Sequence, residues 1–244
     1  MTKEGPQELA VGSYTVEVIR CRDLSSTVRS FELRFIDLDC FEFEPGQSIA
    51  IEFTLEGSQY IRPYSIASPP RRDNTLEICA RYNPGGPGTR FLWALKPGTR
   101  FTITGPQGSF LLQASRIRDC IFIAAGTGIA PLRSMLYAVL EREEEPHVTL
   151  LFGVRDQADC LYDEEFVALA RRNKNFSYRT VLSRPSNGWA GLRGYVQHHV
   201  EDAVNNRTAL DVYVSGMTEM VEEIRQMLLG LGLDESSIHY EKFS

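Results

Sequence analysis

The sequence predicts two domains, an N-terminal six-stranded antiparallel β-barrel and a C-terminal α/β domain built on a parallel sheet. Two observations support this fold class. Short segments of alternating apolar and polar residues fill the first half of the chain, whereas continuous apolar strands alternate with helices in the second half. The pattern changes near residue 115, so we expect the domains to span residues 1–113 and 114–244.

Six strands separated by turns rich in proline and glycine predict the barrel. Alternation is clearest in "SFELRFID", which places Phe31, Leu33 and Phe35 on one face. The other strands are predicted at "SYTVEVIRC", "QSIAIEF", "QYIRPYSIA", "TLEICARY" and "TRFTITG". Six short strands at this spacing are typical of an antiparallel barrel or sandwich, and one short helix is predicted at "GTRFLWAL".

The α/β domain begins with the apolar strand "CIFIAAG". Leu132, Met135 and Leu136 then recur at helical spacing. Further strands are predicted at "VTLLFG", "FSYRTVLS", "LDVYVSG" and "SIHYEKF", with helices between them, one starting near residue 194. Apolar strands interleaved with helices predict a parallel sheet that is covered on both faces.

Composition narrows the class of function. The chain has 244 residues and a net charge of −6. Residues 1–113 carry 12 basic and 13 acidic side chains and residues 114–244 carry 14 and 19, which argues against nucleic-acid binding. A polar N-terminus and the absence of a long apolar stretch predict neither a signal peptide nor a membrane span. Five cysteines without ligand spacing predict no metal site and a reducing, cytoplasmic location.

The segment "RPYSIASPP" combines a cation, an aromatic ring and a hydroxyl in one strand. Alternation places Arg62 and Tyr64 on the same face, with Ser65 directly after them. Such a face can pair with an anion and stack on a flat ligand. The alternative is a core aromatic at Tyr64 with an exposed Arg62 whose stem packs past it.

A second segment, "AAGTGIAP", lies at the carboxyl end of the first parallel strand. Gly126 and Gly128 would let the backbone approach a ligand, and the following helix N-terminus attracts phosphate. Pro131 suits the first helical turn but replaces the third glycine of G-x-G-x-x-G. Arg155 follows the second strand, where an acid would hold an unphosphorylated ribose. The alternative is a tight turn that needs glycine without binding any ligand.

These segments occur in an order that resembles the ferredoxin–NADP reductase family. "RPYS" lies inside a barrel, "PGGPGT" follows about twenty residues later, "GTGIAP" opens the second domain, and "VSG" precedes a late helix. The turns "EPGQ" and "GPQGSF" are also similar to those of the family's barrel. The resemblance covers nearly the whole chain and implies an FAD-binding barrel followed by an NAD(P)-binding domain.

The resemblance assigns roles in FAD binding. Arg62 would pair with the flavin pyrophosphate, Tyr64 would stack on the isoalloxazine ring, and Ser65 would hydrogen-bond near flavin N5. The turn "NPGGPGT" would cradle the pyrophosphate through backbone amides, although it could be a simple turn. The complete FAD set is Arg62, Pro63, Tyr64, Ser65, Gly85, Gly86 and Thr89.

The resemblance likewise assigns a coenzyme site. Ser183 and Arg184 in "LSRP" would hold the 2′-phosphate of NADPH, although Arg184 could be a solvated loop cation and NADH the coenzyme. Arg193 and Tyr195 would lie on the adenine side. The complete set is Gly126, Thr127, Gly128, Pro131, Arg155, Ser183, Arg184, Arg193, Tyr195, Gly216 and Met217.

Four residues are expected at the reacting centre: Ser65, Ser215, Glu241 and Phe243. Ser215 stands where the family often has cysteine, beside the nicotinamide. Phe243 would cover the flavin face that the nicotinamide reaches, and Glu241 would relay a proton. The alternative for Phe243 is a core aromatic at the sheet edge, and the alternative for Glu241 is an exposed strand carboxylate.

The resemblance implies an enzyme that transfers a hydride between NAD(P)H and bound FAD. Because the sequence has no C-x₄-C-x₂-C run, we expect electrons to be exchanged with a separate ferredoxin, flavodoxin or oxygenase component. Two alternatives are an NAD(P)H:free-flavin reductase and a flavin-binding electron-relay subunit without pyridine-nucleotide chemistry of its own.

Overall fold

The computed structural model describes residues 11–71, 73–113 and 118–243, which form two six-stranded sheets. The first sheet contains β1 (Gly12–Asp23), β2 (Val28–Phe35), β3 (Ser48–Leu55), β4 (Ser58–Ser65), β5 (Thr75–Arg81) and β6 (Arg100–Gln107). Helix α1 (Pro87–Ala94) connects β5 to β6. The six predicted strands and the predicted short helix are thus present.

The first sheet is antiparallel throughout, in the order β4-β3-β6-β1-β2-β5. An isolated antiparallel bridge between Ile66, directly after β4, and Ile78 in the middle of β5 brings the two edge strands of the sheet together. Phe31, Leu33 and Phe35 are buried in its interior, so the alternation seen in the sequence does mark the inward face. The predicted antiparallel barrel is therefore confirmed.

The second sheet is parallel and carries helices between its strands. Its strands are β7 (Asp119–Ala125), β8 (Val148–Val154), β9 (Phe176–Leu182), β10 (Leu192–Arg193), β11 (Leu210–Met217) and β12 (Ile238–Phe243). The helices are α2 (Ile129–Leu140), α3 (Asp163–Arg172), α4 (Val200–Val204) and α5 (Thr218–Gly230). The predicted α/β class is confirmed.

Two details near residue 194 differ from the prediction. A sixth strand, β10, pairs Arg193 with Leu182, and two residues are too few for periodicity to reveal. Gly194 follows with a φ of +93°, outside the right-handed helical region. The helix expected from about residue 194 therefore begins later, as a 3₁₀ turn over Val196–His199 that leads into α4.

The strand order β10-β9-β8-β7-β11-β12 creates a crevice between β7 and β11. The chain runs from β7 outward through β8, β9 and β10, then returns to the other side of β7 as β11. At such a switch point the connections leave in opposite directions, and ligands bind at the carboxyl ends of the strands. Here those ends are Ala125 and Met217.

The barrel packs directly against α2. Met135 of α2 lies so close to Gly46 of the barrel that a β-carbon at residue 46 would collide with it. Phe110 from the barrel side shares an apolar cluster with Met135 and Phe122. The boundary predicted between residues 113 and 114 falls at the edge of the described residues. Within the described ranges, no helix is long and apolar enough to cross a membrane.

Candidate active site

Strand β4 presents Arg62 and Tyr64 on the side that faces α1. Arg62 is exposed and Tyr64 is half-buried, and a β-carbon on Gly88 would lie 2.6 Å from the Tyr64 hydroxyl and 3.1 Å from Cγ of Arg62. Burial raises the pKa of Tyr64 to about 12, against the opposing charge of Arg62. The exposed Pro63 lies between them, on the opposite side of the strand. The arrangement leaves the stem of an arginine and a tyrosine side chain beside the start of a helix.

The glycine-rich turn before α1 is built differently from the expectation. The amide of Gly85 donates to Oδ1 of Asn83 at 3.1 Å, and the amide of Gly86 donates to the Asn83 carbonyl at 2.9 Å. The Thr89 hydroxyl also donates to that carbonyl, at 2.8 Å. The amides of Gly85 and Gly86 are thus used inside the turn, so of the three predicted cradle residues only Thr89 has an amide outside these contacts.

The helix that follows this turn supplies other donors. Gly86 is the N-cap residue and has no side chain to cap α1. The amides of Gly88 and Thr89 in the first turn therefore lack an intrahelical acceptor and can face an anion. Gly88 packs on the Tyr64 hydroxyl and on the stem of Arg62, so these amides lie beside that face of β4. The Arg62 guanidinium itself lies over the ring of Tyr60, 5.4 Å from its centre, and donates to the carbonyl of Ile61 at 2.8 Å. This geometry fits a pyrophosphate beside a stacked ring.

In the second domain, Gly126, Thr127 and Gly128 form a 3₁₀ turn between β7 and α2. Gly126 has a φ of +55°, in the left-handed region. A β-carbon on Gly128 would collide with the carbonyl oxygen of Ser215, so only glycine lets this turn approach the end of β11. Pro131 is buried in the first turn of α2, where its missing N–H has no helical partner.

Ser215 lies at the centre of this crevice. Its side chain is fully buried, and Oγ has no hydrogen-bond partner in the described part of the chain. An unsatisfied buried hydroxyl costs about 1–3 kcal/mol, which a ligand with an amide or hydroxyl group would recover. Ser215 pairs with Ala124 of β7 on one side and with Glu241 of β12 on the other. This orphaned hydroxyl fits the carboxamide end of a pyridine nucleotide.

Strand β12 of the second domain contacts the barrel next to Ser215. The Ser65 hydroxyl donates to Oε2 of Glu241 at 3.2 Å. Burial raises the pKa of the half-buried Glu241, and the hydrogen bond from Ser65 partly opposes that shift. The alternative of an exposed strand carboxylate is therefore wrong.

Phe243 lies two residues further along β12. It pairs in register with Met217, which is 64% exposed and follows Gly216 at the end of β11. Phe243 is half-buried and belongs to none of the three apolar clusters formed by the described residues. Phe243 and Met217 therefore form the outer edge of the crevice.

The carboxyl ends of β8, β9 and β10 form a basic edge. The amide of Arg184 donates to the carbonyl of Arg155 at 2.7 Å, and Ser183 is held to Val154 in the same way at 3.0 Å. Arg155, Arg184 and Arg193 are all exposed, and no carboxylate of the described residues pairs with any of them. Such an edge can bind a phosphate.

Tyr195 and Arg81 complete the surroundings. Tyr195 is 61% exposed and its ring lies nearly perpendicular to that of His198, with 5.9 Å between the ring centres, so more than half of the side chain is open to a ligand. Arg81 was not predicted from the sequence. Its Nη2 lies 3.1 Å from the position of a β-carbon on Gly126, which places a cation between the two glycine-rich turns. A cation at the end of β5, directly before "YNPGGPG", was the signal that could have indicated it.

Comparisons with known proteins agree with this architecture. A model of the oxidoreductase FAD-binding domain matches residues 15–111, and a model of the oxidoreductase NAD-binding domain matches residues 122–226. The fold and the site therefore define a two-domain oxidoreductase that binds FAD and NAD(P). Bound flavin supplies hydride acceptance and the release of electrons one at a time.

Individual relatives define the family. Ferredoxin–NADP reductase B of Sorangium cellulosum (strain So ce56) is 34% identical over 237 residues, which cover 94% of this chain and 97% of that protein. The toluate 1,2-dioxygenase electron transfer component of Pseudomonas putida is 30% identical, and the match covers 95% of this chain and 68% of that protein. The chain belongs to the ferredoxin–NADP(+) reductase family, and the predicted NAD(P)H oxidoreductase activity with FAD is confirmed at this level.

A solved structure extends the comparison to three dimensions. The cytochrome P450 reductase GcoB of Amycolatopsis superposes with a TM-score of 0.87 at 27% identity. The match covers 96% of this chain and 70% of that one. The two-domain arrangement is thus shared with a protein that carries additional sequence.

Proposed function

We propose that this chain takes a hydride from NADPH onto tightly bound FAD and delivers electrons to a separate ferredoxin, flavodoxin or oxygenase component. One observation carries this proposal. A continuous row runs from Ala124 beside the nucleotide turn, through the orphaned hydroxyl of Ser215, to Glu241 and its partner Ser65. The row joins the coenzyme crevice to the strand that presents Tyr64.

The roles within the site follow from this row. Arg62 and the first-turn amides of α1 hold the flavin pyrophosphate, and Tyr64 offers its ring for stacking. Ser215 orients the nicotinamide carboxamide, and Glu241 holds a proton near the flavin edge. Aligning two rings in a crevice that excludes water is the main contribution of the protein.

The coenzyme and the partner are inferred from charge and from relatives. The exposed Arg155 and Arg184 beside Ser183 favour the 2′-phosphate of NADPH, since an acidic residue at position 155 would instead favour the unphosphorylated ribose of NADH. Relatives named as a ferredoxin reductase and as a dioxygenase electron transfer component support a separate acceptor protein. Five free thiols support a reducing, cytoplasmic setting.

An anaerobic titration tests the function. The purified protein should be yellow and should be bleached by one equivalent of NADPH, with NADH less effective. Adding a ferredoxin or flavodoxin should then restore the oxidised flavin spectrum. Purification without flavin, combined with turnover of added free flavin, would instead support a free-flavin reductase. A yellow protein that neither coenzyme reduces would support an electron-relay subunit.

A further inference from the structure

Helix α2 carries a buried arginine that the sequence pattern did not distinguish from a solvent-facing charge. Arg133 is only 6% exposed. Its Nε donates to Oε1 of Glu165 at 2.7 Å and its Nη2 donates to Oε2 at 2.9 Å. Its Nη1 donates to the carbonyl of Ala67 at 2.7 Å and lies 3.4 Å from Oε2 of Glu77. One guanidinium therefore joins α2 and α3 to β5 and to the segment that follows β4.

The network around Arg133 is held in a single geometry by two tyrosines. The guanidinium carbon lies 4.4 Å from the centre of the Tyr162 ring, whose hydroxyl donates to Glu77 at 3.0 Å. The Tyr137 hydroxyl donates to Glu165 at 2.8 Å. A planar guanidinium with bidentate, stacked and backbone contacts is fixed in position and in angle, which a lysine could not reproduce.

Arg133 and Ala67, which are joined by a hydrogen bond, both lie close in sequence to residues of the proposed reacting centre. Ala67 is two residues beyond Ser65, and its own amide donates to the carbonyl of Glu77 at 2.7 Å. Arg133 lies one helical turn beyond Ile129, the first residue of α2, which directly follows Gly128. A shift of α2 relative to the barrel would therefore move the nucleotide turn relative to the flavin strand.

We propose that Arg133 is a positioning residue that fixes the strand carrying Ser65 against the helix carrying the Gly126–Gly128 turn. It thereby sets the spacing between the flavin and the nicotinamide, an inference that rests on the proposed function. The rival explanation is a buried ion pair that only supports folding. Buried ion pairs are often replaceable by neutral groups with little effect on stability, so the two explanations can be separated.

Three variants of the Arg133 network and one control make up the test. Arg133→Met removes the guanidinium and leaves the carboxylates of Glu165 and Glu77 without their cation. Arg133→Met with Glu165→Gln also neutralises Glu165, the carboxylate that the guanidinium contacts through both oxygens. The double variant should recover much of the lost melting temperature without restoring the contact to Ala67. Arg133→Lys retains a charge without the bidentate geometry. Arg179→Met is the control, because it removes an exposed ion pair between β9 and Asp202 of α4, outside the Arg133 network.

The measurements are the melting temperature, the FAD content, hydrogen–deuterium exchange of residues 65–68 and the rate of flavin reduction at saturating NADPH. All rates are taken on flavin-loaded protein, well below the lowest melting temperature. A displacement of about 1 Å can slow a transfer step roughly 10²-fold. We expect the rate of flavin reduction to fall by roughly 10- to 10²-fold in the double variant and by less in Arg133→Lys. The control should reduce its flavin at the wild-type rate.

The exchange measurement separates this proposal from the proposed function. Loosening the contact to Ala67 should speed amide exchange at Ala67 and Ser68 in the double variant, whether or not NADPH reduces the flavin. If wild-type protein is not reduced by either coenzyme, the proposed function fails and exchange alone decides whether Arg133 fixes the two domains. Wild-type exchange and wild-type reduction rate in the double variant would overturn the positioning role.

Discussion

The Ser65 hydroxyl on β4 and the Glu241 carboxylate on β12 form a hydrogen bond of 3.2 Å across the two domains. The two residues are 176 positions apart in the chain. Glu241 also lies in register with Ser215, whose hydroxyl is buried and unpartnered. The contact therefore links the strand assigned to flavin with the crevice assigned to the coenzyme, and it gives Glu241 an environment that can be tested by pH.

Replacing Glu241 by glutamine should change how stability depends on pH. Burial raises the pKa of Glu241 above the ordinary value of 4.5, so the folded state retains a proton that the unfolded state releases. The stability that this provides is complete below 4.5 and is lost as pH rises through the raised pKa. Glu241→Gln should therefore melt higher than wild type at pH 8 and equally at pH 4. Thermal melts of both proteins between pH 4 and pH 8 measure the sign of this difference in melting temperature.

The same variant should also lose activity if Glu241 relays a proton. General acid–base groups contribute roughly 10²–10⁴-fold, so kcat should fall by about the lower of these factors. Glu222→Gln is the matched control, because the ion pair with Lys242 lowers the pKa of that exposed carboxylate. A Glu241→Gln variant with unchanged kcat and an unchanged pH profile would exclude the relay.

Arg62→Ala should weaken FAD binding. A charge-assisted hydrogen bond contributes about 1.5–3 kcal/mol, which corresponds to roughly 10- to 100-fold in the dissociation constant. Arg100→Ala removes a comparable exposed barrel arginine, paired with Glu17, and should leave FAD binding unchanged. Flavin content after purification and fluorescence titration of the apoprotein measure the effect. Equal FAD affinity in both variants would remove Arg62 from the pyrophosphate site.

Local patterns in the sequence were sufficient for the fold class and for the place of the turn between β7 and α2. Alternation places Phe31 and Phe35 inside the barrel, and the glycines at 126 and 128 mark the strand-to-helix turn, since both features depend on neighbouring residues alone. Long-range contacts leave no such local signal. The hydrogen-bond partners of Arg133 lie 32 to 66 positions away, and a short strand such as β10 has too few residues to show a period.

The turn before α1 illustrates a second limit of sequence patterns. Glycines in "NPGGPGT" indicate close backbone approach but do not tell which amides face outward. Asn83 accepts from the amides of Gly85 and Gly86, so the outward donors belong to the first turn of the helix instead. That assignment depends on the local hydrogen bonds, which only the three-dimensional structure defines.

Arg184→Ala should distinguish the two coenzymes. Arg184 lies exposed beside Arg155 and Ser183, where a 2′-phosphate would be bound. We expect KM for NADPH to rise roughly tenfold, the value of one charge-assisted contact, while KM for NADH stays near wild type. Arg179→Ala on β9, paired with Asp202, controls for the loss of a positive charge. An equal rise for both coenzymes would contradict a 2′-phosphate role.

Phe243→Ala should tighten the binding of oxidised coenzyme. Phe243 lies at the outer edge of the crevice opposite Met217, outside the apolar clusters of the described residues. If its ring covers the flavin face, the nicotinamide must displace it, and part of the binding free energy is spent on that displacement. Without the ring, the dissociation constant of NADP⁺ should fall, product release should slow and kcat should fall with it.

The competing interpretation of Phe243 as a core aromatic predicts the opposite pattern. Truncating a core phenylalanine costs about 3–5 kcal/mol of stability and would not tighten coenzyme binding. Calorimetric titration with NADP⁺ and a thermal melt of the same preparation separate the two, with Tyr240→Ala, a 40% exposed aromatic on the same strand, as the control. Because Phe243 is half-buried and makes no cluster contact, we expect a small change in melting temperature together with tighter NADP⁺ binding. Weaker or equal NADP⁺ binding with a large drop in melting temperature would show that the ring supports the fold rather than covering the flavin.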